Sequence, residues 1–72
     1  MTEDEKIAIF VASCVKTAAD EWSMSVDEAY DRIKKINLID DYILPCYDVL
    51  HTESRENVTK DILKTVELWE KK

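Results

Sequence analysis

Not one of the 72 residues is glycine, and Pro45 is the only proline. Glycine takes positive φ at no steric cost, so a chain without it is poorly suited to tight β-hairpins or to a Gly-rich phosphate loop. Dinucleotide and P-loop nucleotide sites are disfavoured together with the glycines. With 46% hydrophobic and 36% charged residues the composition is that of a folding chain, not of a disordered tail. A domain this short buries only about 60% of the surface its unfolded chain exposes. A thin core follows, with modest stability unless the protein oligomerises or binds a partner.

Two start signals of the same kind stand in the first half. Thr2 with Glu5, and Ser25 with Glu28, each set a hydroxyl three residues before a carboxylate, the pattern of a capping box. The first predicts a helix from about Glu3 to Trp22. At 100° per residue its Ile7, Phe10, Val11, Cys14, Val15, Ala18 and Trp22 share one face, which Ala8, Ala12 and Ala19 widen toward half the helix. Ile9 falls outside that sector. The second predicts a helix from about Val26 to Ile36 carrying Val26, Ala29, Tyr30, Ile33 and Ile36 inward, with Asn37 as a left-handed cap and Lys34 and Lys35 at the negative end of the dipole.

Asp40 or Asp41 is expected to cap a short third helix bearing Tyr42, Ile43, Tyr47 and Leu50, loosened at its start by Pro45. Thr52 or Ser54 then caps a fourth, from about Arg55 to Glu70, with Val58, Ile62, Thr65, Val66 and Trp69 in one stripe and Leu63 and Leu68 off it. Short connections and the absence of any linker, repeat or low-complexity tract give a single domain over residues 1–72, an all-α compact bundle of about four helices.

A net charge of -6, with no basic cluster larger than a Lys-Lys pair, opposes nucleic-acid binding. Acidic polar faces likewise oppose docking on anionic lipid. The acidic opening is unlike a basic secretory signal, and the apolar run Ile7 to Val15 is too short to span a bilayer, so a cytoplasmic protein is expected. Cys14 and Cys46 are then expected to be free, buried thiols.

The stretch "YDVLHTES", Tyr47 to Ser54, holds the single histidine and raises three chemistries. As a nucleophile's base His51 lacks a sequence neighbour: Cys46 lies five residues back, about 140° away around a helix, and Cys14 reaches it only through tertiary packing. As a metal site, Asp48 and His51 share a helical face at i and i+3, with Asp41 seven residues before Asp48. As a corner, His51 closes the third helix, stacks on Tyr47 and hands the chain to the fourth. The corner is the preferred reading, with no cofactor required.

The segment from Ser23 to Ser54 resembles a family of short bacterial proteins catalogued as domain of unknown function thirty-seven ninety-one. The resemblance rests on Tyr47, Asp48, Val49, Leu50, His51 and Thr52, preceded by Ser25 and by Glu28-Ala29-Tyr30. The chain departs from the family pattern at Asn37, in place of a glycine, and at Pro45-Cys46, in place of an acid and an aromatic residue. The resemblance implies no known activity; family members neighbour genes for ADP-ribosyltransferase-like proteins, which implies an accessory or antitoxin role.

The expected function is a non-enzymatic protein-interaction module that occludes a partner, a toxin-like enzyme among the candidates. Its docking residues are Tyr47, Asp48, His51 and Thr52 at the corner, with Ile9, Leu63 and Leu68 as apolar contacts. A small metal-dependent enzyme or sensor using Asp41, Asp48 and His51, and a structural homodimer, are the alternatives.

Overall fold

A computed structural model describes residues 2–71 of the chain. Helix α1 spans Glu3–Trp22, α2 Val26–Lys35, a π-helical turn Ile39–Ile43, α3 Tyr47–Leu50 and α4 Arg55–Glu70. The described residues contain no strand, and the fold is a small all-α bundle in which α1 packs against both α2 and α4.

Each long helix begins at the hydroxyl the sequence marks. Thr2 Oγ1 accepts from the Glu5 N–H at 3.2 Å, Ser25 Oγ from Glu28 at 3.2 Å and Ser54 Oγ from Asn57 at 3.3 Å. In the two capping boxes the carboxylate turns to the hydroxyl itself: Thr2 donates to Glu5 and Ser25 to Glu28. Thr52 is not a cap; its hydroxyl donates to the Val49 carbonyl at 2.7 Å.

Helix ends had to be made without glycine. Asn37 takes the left-handed conformation, φ 57°, as its side chain predicts. Ser23 does so too, φ 54°, a position the sequence reading passed over. The N–H of Met24 reaches the Ala19 carbonyl at 3.0 Å and that of Ser23 the Asp20 carbonyl at 3.3 Å, the paired bonds that close a helix around one left-handed residue. Met24 then packs on the core. α2 ends at Lys35, with Ile36 already outside the helix.

The third segment differs most from expectation. Asp40 and Asp41 cap nothing and lie inside the π turn, where the Leu44 N–H reaches back five residues to Ile39 at 2.8 Å. Pro45 explains this: it has no N–H for the Asp41 carbonyl, and its ring crowds the carbonyl four residues back, so the chain widens by one residue before it. Regular α-helix resumes only at Tyr47 and lasts four residues.

The core is Cys14, Val15, Ala18 and Ala19 of α1, Ala29 and Ile33 of α2, Leu38 and Ile43 around the π turn, Leu50, and Val58, Ile62 and Val66 of α4. It contains no polar or charged residue. Both cysteines are free thiols; Cys14 is buried as expected, whereas Cys46 is only half-buried, because the turn after Pro45 brings it to the rim of the core.

At the far end of the bundle Arg32 ties three helices. Its guanidinium lies 4.1 Å over the Trp22 ring and donates twice to the Glu70 carboxylate, both bonds at 2.8 Å. The hydrogen bonds from Arg32 hold the Glu70 carboxyl below its ordinary range. Because the folded value is the lower one, the stabilisation is complete above the ordinary carboxyl range and disappears as pH falls through the folded value. Both side chains are about one-third exposed, so the pair contributes about 1 kcal/mol after screening; the ring contact adds roughly 0.5–1 kcal/mol. Arg32→Met is expected to lower stability by about 1–2 kcal/mol near neutrality. Urea titrations of both proteins across the acid range check it: their difference should shrink as Glu70 is protonated.

Candidate functional site

Helix α1 offers two recesses on almost opposite flanks, since lining residues 6, 9, 10, 13, 14 and 17 and lining residues 4, 7, 8, 11, 12 and 15 are separated around the axis at 100° per residue. The first flank meets the corner between α3 and α4. The second runs beside α2 and ends at the π turn.

The corner is built as the sequence implies. The His51 N–H closes α3 on the Tyr47 carbonyl at 2.9 Å, and its ring stacks on Tyr47 with centroids 4.8 Å apart and planes 22° from parallel. The edge of Phe10 completes the row at 5.3 Å from the Tyr47 ring. These rings wall a cavity of about 390 Å³ that also takes Ile9, Cys14, Lys6, Glu53 and Arg55 into its lining.

Of the docking residues expected from sequence, the fold gathers Ile9, Tyr47 and His51 here. Asp48 and Thr52 are exposed but outside the lining, and the Thr52 hydroxyl is spent on the Val49 carbonyl. Leu63 is half-buried and packs on the core, so it is a structural residue more than a contact. Leu68 is 54% exposed and apart from both recesses.

The metal alternative does not assemble. Among the described residues no three of His, Cys, Asp and Glu stand where they could share an ion, Asp41, Asp48 and His51 included. The seven-residue spacing from Asp41 to Asp48 assumed one continuous helix, and the π turn and Pro45 break it.

The nucleophile reading meets a different obstacle. Tertiary packing does bring Cys14 and His51 to one cavity. Burial, however, pushes the Cys14 thiol up to about 11, against a smaller opposing pull from the Arg55 charge. A thiol so held stays protonated and is a poor nucleophile at neutral pH.

The second recess was missed as a site. It is a groove lined by Ile7, Ala8, Val11, Ala12 and Val15 of α1, Val26 and Tyr30 of α2, Ile39 of the π turn and Leu44 just after it. Val26 is 49% exposed, Tyr30 42% and Leu44 40%, so the groove is partly open to solvent. The charged residues in its lining are both acids, Asp4 and Asp27, each in the first turn of its helix. The signal was present in the width of the α1 apolar sector, since two packing partners bury Cys14, Val15, Ala18 and Ala19 but leave Ala8 and Ala12 exposed and Ile7 and Val11 only half-buried.

Fold and site together define a small all-helical bundle with a buried apolar core and, beside it, a partly open apolar groove. Residues 9–69 match the family described as protein of unknown function (DUF3791), and the chain belongs to that family. No curated protein and no solved structure matches it. No described helix is long and apolar enough to cross a membrane.

Proposed function

We propose that this protein is a helical interaction module whose α1–α2 groove receives an amphipathic helix of a partner protein. The observation that carries the reading is the groove itself: apolar side chains of α1, α2 and the π-turn segment line one recess, with Ala8, Ala12, Val26, Tyr30 and Leu44 exposed in it. Such patches on small soluble domains mark interaction sites, and an apolar helix face laid into a groove is a recurrent recognition mode.

Charge selects the partner. Asp4 and Asp27 favour a helix whose apolar stripe is flanked by Lys or Arg. A second copy seated groove to groove would bring the same acids toward one another, which opposes self-association through this face. Seating the helix also occludes it, which is how a module of this kind would neutralise a toxin-like enzyme with an ADP-ribosyltransferase-like domain, the partner implied by the family resemblance.

The test is an NMR titration with a synthetic amphipathic helix of Leu and Lys, beside its Leu and Glu counterpart. The Lys peptide is expected to shift the amides of Val11, Val26, Tyr30 and Leu44 saturably, and the Glu peptide to bind at least tenfold more weakly. Val11→Asp separates groove docking from bulk attraction, because it adds negative charge yet is expected to weaken the Lys peptide by roughly tenfold or more. Equal binding of the two peptides, or tighter binding by the Asp variant, overturns the reading. A dimer in sedimentation that Val11→Asp dissociates would assign the groove to a second copy instead.

A further inference from the structure

The groove leaves the corner cavity without a role, and its composition is unlike the rest of the molecule. Lys6 from α1 and Arg55 from the start of α4 line it against a single acid, Glu53. In a chain with a net charge of -6, this is a recess where the cations outnumber the acids. His51 adds a ring N–H donor in either protonation state.

Two of the lining hydroxyls are already engaged. Thr17 donates to the Ser13 carbonyl and Thr59 to the Arg55 carbonyl, each at 2.8 Å. The positive charges in the lining are those of Lys6 and Arg55, with the side chains of His51, Ser13 and Tyr47 as further donor groups. The same lining carries an aromatic row, Phe10 edge-on to Tyr47 and Tyr47 stacked on His51. A row of rings offers a planar ligand edge and face contacts that an aliphatic one cannot match. At about 390 Å³ the space lies in the range of small-molecule sites, roughly 300–1,000 Å³.

We propose that this cavity binds a small planar aromatic anion, its ring against Phe10, Tyr47 and His51 and its charge toward Lys6 and Arg55. Cys14 at the cavity wall remains a neutral thiol, because its burial holds the proton, and so adds no opposing charge. The site is independent of the α1–α2 groove, which lies on the other flank of α1.

Benzoate tests it, with benzamide as the same ring without the charge and cyclohexanecarboxylate as the charge without the aromatic ring. NMR titration of the whole chain is expected to give saturable benzoate shifts at Phe10, Tyr47, His51 and Arg55, with a dissociation constant on the order of 1 mM for so small a ligand. Each control is expected to bind at least roughly fivefold more weakly. Lys6→Gln with Arg55→Gln, both at exposed positions, should abolish saturation, and Glu53→Gln should tighten binding by about twofold to fivefold. The last variant separates recognition of charge from mere packing. Equal binding of benzamide, equal binding of cyclohexanecarboxylate, or no saturable benzoate shift overturns the proposal. Unchanged benzoate affinity in the double Gln variant does so as well, and the Leu and Lys peptide still binding its groove would then separate this failure from that of the interaction module.

Discussion

Replacing Ile33 by alanine is expected to cost about 2–5 kcal/mol, the range for removing a fully buried branched side chain from a core that cannot collapse around the gap. Ile33 is 0% exposed, and the neighbouring core positions Ala18, Ala19 and Ala29 are at most 1% exposed. Alanines bring α1 and α2 close and have no rotamers with which to fill a void, so relaxation is limited to backbone shifts. For a chain of 72 residues the total stability is roughly 4–11 kcal/mol. The loss is therefore a large fraction of the whole. Since about 1 kcal/mol moves the midpoint of a domain this size by roughly 4–8 °C, a fall of at least about 10 °C is expected in thermal unfolding followed by circular dichroism. Val49→Ala is the control. Val49 is 63% exposed, and its truncation is expected to stay within about 0.5 kcal/mol. Similar losses from the two substitutions would mean that α2 does not seat on α1 as described.

The second large effect is kinetic. With its thiol raised from 9.0 to about 11, Cys14 has about a hundredfold less thiolate at any pH below both values. Burial of the sulfur adds a barrier of access, since Cys14 is 6% exposed while Cys46 is half-buried at the rim. Treatment of the folded protein with iodoacetamide at about pH 8, followed by peptide mass spectrometry, should find Cys46 alkylated and Cys14 slower by two orders of magnitude or more. In denaturant the two rates should converge. Arg55 pulls the Cys14 value down, so Arg55→Gln is expected to slow Cys14 further. Comparable rates in the folded protein would show that the α1 flank beside the corner opens on the timescale of the reaction.

These two predictions also divide the molecule by how far its design could be read from residues alone. Helix starts are local: a hydroxyl caps an amide three residues on, and no distant group takes part, so Thr2, Ser25 and Ser54 mark the three long helices. The stack of His51 on Tyr47 is local as well, being one turn of one helix. Asn37 was legible because its side chain supports a left-handed turn, whereas Ser23 was not, because what holds it there is the pair of bonds around it more than its own preference. The π turn escaped for a related reason. A proline announces a missing N–H, but whether the chain bends, frays or widens depends on what Ile43 and Leu38 must reach, and both are 0% exposed.

The site was harder still. Periodicity assigns one apolar sector to α1, yet it cannot say how much of that sector neighbours will cover. Only the seating of α2 and α4 leaves Ala8 and Ala12 exposed and Ile7 and Val11 half-buried, turning part of a predicted core face into the wall of a groove. Likewise Lys6, Tyr47 and Arg55 are far apart along the chain and become one cavity through packing. By itself, then, the sequence determined an all-helical chain, its capped helix starts, its corner at His51 and its family, because each rests on groups within a turn of one another or on a motif. Tertiary structure alone decided which apolar residues stay uncovered, that Asp41 parts from Asp48 and His51, and that Cys46 sits at the rim of the core, because burial and convergence are properties of several elements at once.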